Sequence, residues 1–347
     1  LIKIVKWLNA ILVLGTLLSF LAPSINPEKF WPLAVFGLLF PILVVLNLFF
    51  IIYWGLKKNI FGFVSLIAVI IGFNGVKGVI NFGGKNKESG RSILIGTYNI
   101  GGLNRLDPKS KEYLNLSEND LRAFFENHKI PDIISFQEIT PKNRKTIQSV
   151  INLPYFYQHT SLNTCIFSKF PITNSGSIIF EKSFNSAIWT DVDIDGNKFR
   201  VFDVHLQSNT VKSLTDKTLS SNELEASKKY RSVLKIFSRI KNATLLRVQQ
   251  AKQVKALIRK SPYPVLVCGD LNDSSQSYVY ATISENLKDS FKESAFGFGS
   301  THNGKMPLLR IDYIFADNNM SVVSHKVERS LISDHNPVFS LISLNKK

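Results

Sequence analysis

The chain has 347 residues, a net charge of +16 and only two cysteines. That length leaves room for a core large enough to fold without disulfides or a structural metal. The basic balance favours polyanions, with nucleic acid and an anionic membrane surface both open.

Residues 1–83 carry six Lys and a single acid, Glu28, among Leu, Ile, Val and Phe. Three apolar runs occupy them, from about Ile4 to Leu21, Phe30 to Tyr53 and Ile60 to Ile80. A bilayer core takes about 20 helical residues to cross. The second run, with aromatic residues at both ends, fits that need best. Asn74 and Lys77 weaken the third. Three runs in succession exceed a signal peptide. No polar face repeats at helical spacing, as a buried soluble helix would show. The expectation is a bundle of three transmembrane helices over 1–83. Lys3, Lys6, Lys57 and Lys58 would face the cytoplasm, and the rest of the chain would lie outside a bacterial inner membrane. GGKNKESGR then reads as a polar linker, with 84–91 as the boundary.

Residues 84–347 hold 36 basic and 25 acidic residues, a net +11, and all six histidines. SILIGTYN is the first expected strand. Ser117 with Asp120 marks a helix start. Pro131 opens the strand DIISF, and NTCIFS, GSIIF and SAIWTDVDI follow. Asp195-Gly196 is a hairpin turn that returns the chain as KFRVFDVHL. Residues 211–260 lack Gly and Pro and hold 13 Lys/Arg against three acids. Within them LLRVQQAKQVKALI has helical apolar spacing with basic residues between, a solvated outer helix or a polyanion surface. PVLVCGD, RIDYIFA and PVFSLIS complete the strands. Cys165 and Cys268 sit in apolar strands as buried thiols. Many strands with few helices between them predict two mixed β-sheets packed face to face with helices outside, a four-layer α/β sandwich.

Polar residues end these strands. Glu138 follows DIISF directly and is an oxygen ligand suited to Mg²⁺, which needs only one or two protein carboxylates. Asn99 is a nearby helper. Gly269 allows close backbone approach, Asp270 can accept a proton or hydrogen bond, and Asn272 suits a phosphate oxygen, although Gly-Asp and Asn-Asp also make ordinary turns. His335 titrates near neutrality. Asp312, in an apolar strand, is the carboxylate that would fix its tautomer, and Asp334 would add to the metal or orient the pocket. His205 ends another strand and could meet a phosphate or a leaving group. His128, His159, His302 and His325 lack such contexts and read as surface or loop residues.

Together TYN, FQE, DVHLQS, CGDLND, RIDYIF and SDHNPV, in this order across residues 94–340, resemble the endonuclease/exonuclease/phosphatase superfamily. That superfamily includes DNase I-like nucleases, neutral sphingomyelinases and inositol polyphosphate phosphatases. The resemblance implies a catalytic domain over 92–347 and a Mg²⁺-dependent phosphoester hydrolase, with Mn²⁺ as an alternative ion. By it Glu138, Asn99 and Asp334 form the metal side. Asp270, Asn272, His335, Asp312 and His205 form the catalytic side, with the proton acceptor left open. The Trp-x-Gly-Asp and Pro-Ala-Trp-Cys-Asp-Arg patterns of the inositide enzymes are absent. The expectation is a membrane-anchored phosphodiesterase of nuclease type. A lipid-headgroup hydrolase of sphingomyelinase kind, or a non-catalytic membrane subunit on the same fold, stands as the alternative.

Overall fold

A computed structural model describes residues 2–106, 113–115, 118–209, 226–304 and 308–344. The strands are β1 (Ile80–Phe82), β2 (Arg91–Asn99), β3 (Asn104–Leu106), β4 (Tyr113–Asn115), β5 (Ile133–Gln137), β6 (Tyr155–Tyr157), β7 (Thr164–Ser168), β8 (Ile172–Ile179), β9 (Ser186–Ile194), β10 (Asn197–His205), β11 (Val265–Asp270), β12 (Leu287–Asp289), β13 (Phe296–Phe298), β14 (Asp312–Asp317), β15 (Met320–Val327) and β16 (Val338–Leu344). Two six-stranded sheets form, in the orders β12-β14-β11-β10-β9-β8 and β15-β16-β2-β5-β7-β6. Each is mixed. β10 and β11 pair in parallel in the first, as do β2 and β5 in the second, and the other neighbours are antiparallel.

The sheets meet face to face through Ile93, Ile95, Ile133 and Ile166 on one side and Ile188, Val201, Leu266 and Ile314 on the other. Helices cover the outer faces. On the first sheet Val248, Ala251 and Val254 of α8 (Ala226–Arg259) and Val279, Tyr280 and Ile283 of α9 (Tyr278–Ser284) pack against Phe202, Val267 and Phe315. On the second, Leu121 and Phe125 of α6 (Glu118–Glu126) and Ile147, Val150 and Ile151 of α7 (Pro141–Ile151) pack against Phe136 and Phe167. This is the expected layering of helix, sheet, sheet and helix. Burial on both faces explains why the central strands read as continuous apolar runs rather than alternating ones. The helix start expected at Ser117 lies outside the described residues, and the helix is seen from Glu118. Residues 211–225 of the basic segment also lie outside them. Both cysteines are buried and free.

The expectation of three transmembrane helices is not met. Two helices, α1 (Ile2–Leu21) and α3 (Pro32–Leu56), are long and apolar enough to cross a membrane, with mean hydropathies of 1.9 and 2.8. The short α2 (Pro27–Phe30) lies between them. The third run breaks at Gly72 into α4 (Gly62–Ile71) and the single turn α5 (Phe73–Val76). Ten residues make about 15 Å of helix, roughly half the bilayer core. The break lies where the backbone of Gly72 meets the Phe20 ring, in a space that a Cβ could not enter. The sidedness counted from three crossings goes with them.

The bundle buries polar side chains among apolar ones such as Phe40 and Val44, and exposes apolar side chains on its outside. Asn9 donates to Ser65 at 2.6 Å and accepts from the Trp54 indole at 2.8 Å, and Asn47 donates to Thr16 at 2.8 Å. Trp7, Ile11, Phe49 and Ile52 are exposed.

The bundle end docks on the sandwich. Ser274 Oγ donates to the carbonyl of Gly37, Gln276 Nε2 to that of Ser19, and Ser275 Oγ to that of Gly78. Leu38 packs on Leu309 and Ile311. β1 pairs with β13, and the Asn81 side chain donates to the carbonyls of Phe291 and Lys292. The polar stretch that follows is also fastened, with the Asn86 amide bonded to Val323 and that of Ser89 to the Ser343 hydroxyl.

Candidate active site

Four strand ends bring the polar residues together. β2 and β5 lie in parallel with Asn99 opposite Gln137, and β10 and β11 with His205 opposite Asp270. Asp312 begins β14 opposite Asp270. Close approach at this end depends on Gly269, whose φ is +133 and whose Cβ would strike the Val204 backbone. Glu138 leaves β5 with φ 57, unusual for a residue of its size, and Asn272 turns with φ 52.

Asn99 is the hub. Its Nδ2 donates to Glu138 Oε1 at 3.2 Å and to Asp270 Oδ2 at 3.1 Å. Asn272 orients the same carboxylate, with its backbone N–H on Asp270 Oδ1 at 2.7 Å and its Nδ2 on Oδ2 at 3.1 Å. That amide also donates to the Leu206 carbonyl at 2.9 Å, so Asn272 acts here mainly on Asp270 and the neighbouring backbone. His335 Nδ1 lies 3.0 Å from Asp312 Oδ2, the pairing expected from sequence, and its Nε2 lies 3.8 Å from Asp270 Oδ2. His205 Nε2 stands 3.9 Å from Glu138 Oε1 and 3.8 Å from Asp270 Oδ2. Both His205 ring nitrogens are buried without a hydrogen-bond partner among the described residues. Asp334 stands apart from this knot. Its carboxylate lies 3.9 Å from His302 Nε2, and its field helps to raise the His335 pKa.

The protonation pattern follows from burial and neighbours. Burial and the adjacent Asp312 carboxylate raise the Asp270 pKa. Burial opposes a charge on His335, but Asp312 and Asp270 outweigh it and raise His335 to about 10. Burial lowers His205 to about 4, so at neutral pH it is an uncharged ring with one N–H to give. Among the described residues no Lys or Arg forms an ion pair with Glu138, Asp270 or Asp312.

Three carboxylates meeting with no Lys or Arg ion pair among the described residues, and with His335 as their counter-ion, suit a divalent cation. Asp270, Asp312 and His335 each offer a ligand atom within 4.8 Å of the others. Asp312 is held by His335 and Asp270 by three amide N–H groups, which leaves Glu138, bonded to the Asn99 amide alone, as the freest carboxylate, with Asp270 beside it. Oxygen donors of this kind fit Mg²⁺ or Mn²⁺. Glu138 and His205 also line a cavity of about 300 Å³ with Gly102, Thr140, Asn163, Asn185 and Ser208.

A model of the endonuclease/exonuclease/phosphatase family matches residues 96–335. The chain belongs to that family. A domain of unknown function, DUF8431, matches residues 2–78. No curated protein matches the chain. A family protein from Bacteroides thetaiotaomicron superposes with a TM-score of 0.53 at 16% identity, covering 74% of this chain and 100% of that one. One from Beutenbergia cavernae gives 0.53 at 16%, covering 74% of this chain and 72% of that one. D. rerio TDP2 complexed with single strand DNA product gives 0.50 at 16%, covering 73% and 99%. At these identities the likeness shows the fold.

Sequence reasoning missed several neighbours of the site. His302, expected on the surface or in a loop, pairs in a bridge with His335, the two rings 5.0 Å apart. Thr301 beside it accepts the backbone N–H groups of Ile311 and Asp312. Asn163 and Asn185 line the cavity from loops that carried no strand-end signal. His325 is also not where it was expected. It is half-buried in β15, with Nδ1 within hydrogen-bond distance of the Ser290 and Ser340 hydroxyls, and desolvation lowers its pKa to about 3.

Proposed function

We propose that the chain is a membrane-anchored, divalent-metal-dependent phosphodiesterase. The observation that carries the reading is the knot of Glu138, Asp270, Asp312, Asn99, His205 and His335 at one end of the sandwich, acidic and without Lys or Arg ion pairs among the described residues. Glu138 and Asp270 would hold the ion, with the Asn99 amide orienting both carboxylates and Asp334 near enough to add its field. Bound there, Mg²⁺ supplies charge for the phosphoryl oxygens and for the leaving oxygen. Asn99 and Asn272 fix the Asp270 carboxylate toward the reacting water. Asp312 fixes His335 through Nδ1, so Nε2 is the atom that meets substrate. With its proton it donates to a phosphate oxygen, and without it it takes the proton of the water. His205 presents one N–H to the phosphate or leaving group.

Anchoring rests on the bundle's reversed polarity. Asn9, Asn47, Thr16 and Ser65 are buried while Trp7, Ile11, Phe49 and Ile52 are exposed, an arrangement that suits lipid and not water.

The position of the site favours a lipid headgroup over nucleic acid. The segment after Asn272 is hydrogen-bonded to the bundle at Gly37 and Ser19. Arg247 and Gln250 of α8 bond Gln207 beside His205, so the helix N-terminal to them runs past the strand ends. That part exposes Tyr230, Val233, Leu234 and Phe237, with Arg231 and Lys235 among them, and Lys241 lies 5.9 Å over the Trp31 ring. Apolar surface mixed with cations suits a bilayer interface.

The test uses the full chain in lipid nanodiscs. Hydrolysis of bis-p-nitrophenyl phosphate should require Mg²⁺ or Mn²⁺ and vanish in Glu138→Gln. Phospholipid vesicles should be cleaved in preference to plasmid DNA. Plasmid cleavage with intact vesicles would return the substrate to nucleic acid. A folded, metal-loaded protein inert toward all three would leave a non-catalytic membrane subunit.

A further inference from the structure

A second cleft, of about 750 Å³, lies at the seam between bundle and sandwich. Its bundle wall is Phe20, Pro23, Ile71 and Gly72, and its sandwich wall includes Tyr280, Ser284, Lys288 and Lys292. Neighbouring Leu21, Ile70 and Phe73 are exposed, so the apolar wall continues onto the outer surface of the bundle.

Two lysines and two acids line the cleft, but they are not paired with one another across it. Asp289 is saturated, since Arg310 holds both its oxygens at 3.0 and 2.7 Å and the Tyr280 hydroxyl donates to it at 2.6 Å. Glu293 lines the cleft as an exposed residue. Lys288 is spent on the Met320 carbonyl at 2.7 Å. Lys292 is half-buried, sits 5.0 Å over the Tyr280 ring, and makes no hydrogen bond or ion pair among the described residues. Burial lowers its pKa, the field of Asp289 opposes that, and the positive charges of Arg310 and Lys77 add to the lowering. Lys77 likewise makes no ion pair among the described residues and lies over the Phe73 ring. A half-desolvated ammonium with a second cation nearby is costly unless an anion joins them.

We infer that this cleft binds one anionic phospholipid, its phosphate on Lys292 and Lys77 and its acyl chains along Phe20, Ile71 and the exposed face of α4. The inference rests on the reading of the bundle as membrane-embedded. The site is separate from the strand-end knot and needs no hydrolysis. A lipid here would cement the seam whose other fastenings are Ser274, Ser275 and Gln276.

The experiment is native mass spectrometry of the full chain released from nanodiscs of mixed phosphatidylglycerol and phosphatidylcholine. Wild type and Glu138→Gln should each retain one phosphatidylglycerol in preference to phosphatidylcholine. Lys292→Ala and Lys77→Ala should each lower that retention about fivefold, and the pair should lower it further. Lys292→Arg should keep it, which guards against a folding defect in the alanine variants. Carbonate extraction of the same membranes reports on the anchor separately. Variants that remain membrane-embedded with unchanged lipid retention overturn the inference alone, as does equal retention of the two lipids. Displacement of the lipid by millimolar inorganic phosphate overturns it in favour of a free-phosphate site. Release of wild type by carbonate overturns both the anchor and this inference.

Discussion

Asp289 and Asp270 are both buried carboxylates in the same sheet, and they are treated in opposite ways. Asp289 receives the Arg310 guanidinium through two hydrogen bonds, the Tyr280 hydroxyl and the Phe291 backbone N–H. Burial would raise its pKa, but Arg310 outweighs burial and holds it at about 2. Asp270, at the strand-end knot, receives only amides and stands near two histidines and a second carboxylate, so its pKa is raised. Arg310 lies two residues from Asp312 and serves Asp289 and the Gly78 carbonyl. The sandwich thus places a strong cation a few ångströms along the chain from its acidic knot and turns it elsewhere. A buried charge that is paired belongs to the scaffold, and one left unpaired is held for a ligand.

The largest effect expected from this contrast is on turnover. Asp270→Asn and Glu138→Gln should each reduce phosphodiester hydrolysis by roughly a thousandfold or more, while the melting temperature holds or rises. Activity within tenfold of wild type would show the knot to be structural. Next, Arg310→Met should destabilise the fold by about 3–5 kcal/mol, because it strands Asp289 in the interior. Denaturant titration of the full chain measures it, and a change near zero would erase the distinction between the two carboxylates. Third, saturating Mg²⁺ should raise the stability of wild type by about 2.7 kcal/mol at a hundred times its dissociation constant, and Asp270→Asn should lose that response.

The pH dependence sharpens the contrast because the two signs differ. Asp289, lowered to about 2, contributes stability above the ordinary carboxylate range that is lost as pH falls through about 2. The amount is on the order of 2 kcal/mol. Asp270, raised, costs stability at neutral pH without a divalent ion and returns it as pH falls through its folded pKa. Melting curves of Asp289→Asn and Asp270→Asn against pH should therefore diverge from wild type in opposite directions. The smallest effect belongs to Asp334→Asn, which should change turnover by less than about tenfold, since its half-exposed carboxylate acts on His335 through its field.

The sandwich was legible in the sequence because its central strands are buried on both faces and declare themselves by unbroken apolar runs. β9 and β10 appear where SAIWTDVDI and KFRVFDVHL placed them. Their turn has Asp195 at φ 53 and Gly196 at φ 83, as the Asp-Gly pair required. The convergence of Asn99, Glu138, Asp270, Asp312, His205 and His335 was legible for a related reason, since each ends or begins such a run. The helix α7 carried a readable start in Thr140-Pro141, whose hydroxyl accepts the Asn143 N–H, but it lacks the dense apolar spacing that drew attention elsewhere. The third apolar run misled because composition counts residues and does not see that Gly72 ends one helix to admit Phe20. His302 was opaque because it lies outside the strands and meets His335 only through folding. The docking of Ser274, Ser275 and Gln276 on the bundle was equally hidden, because a short polar stretch after a strand says nothing of what accepts its hydrogen bonds.

The seam has a consequence for anyone preparing a water-soluble version. Cutting the chain at its polar stretch would take away β1, leave β13 without a partner strand and remove Phe82 from the Phe296 ring. It would also remove the carbonyls of Gly37, Ser19 and Gly78 from Ser274, Gln276 and Arg310. Those donors sit on the segments leading from Asn272 and into Asp312. A trimmed protein would keep every reacting group and lose the clamps that hold two of its reacting strands in register.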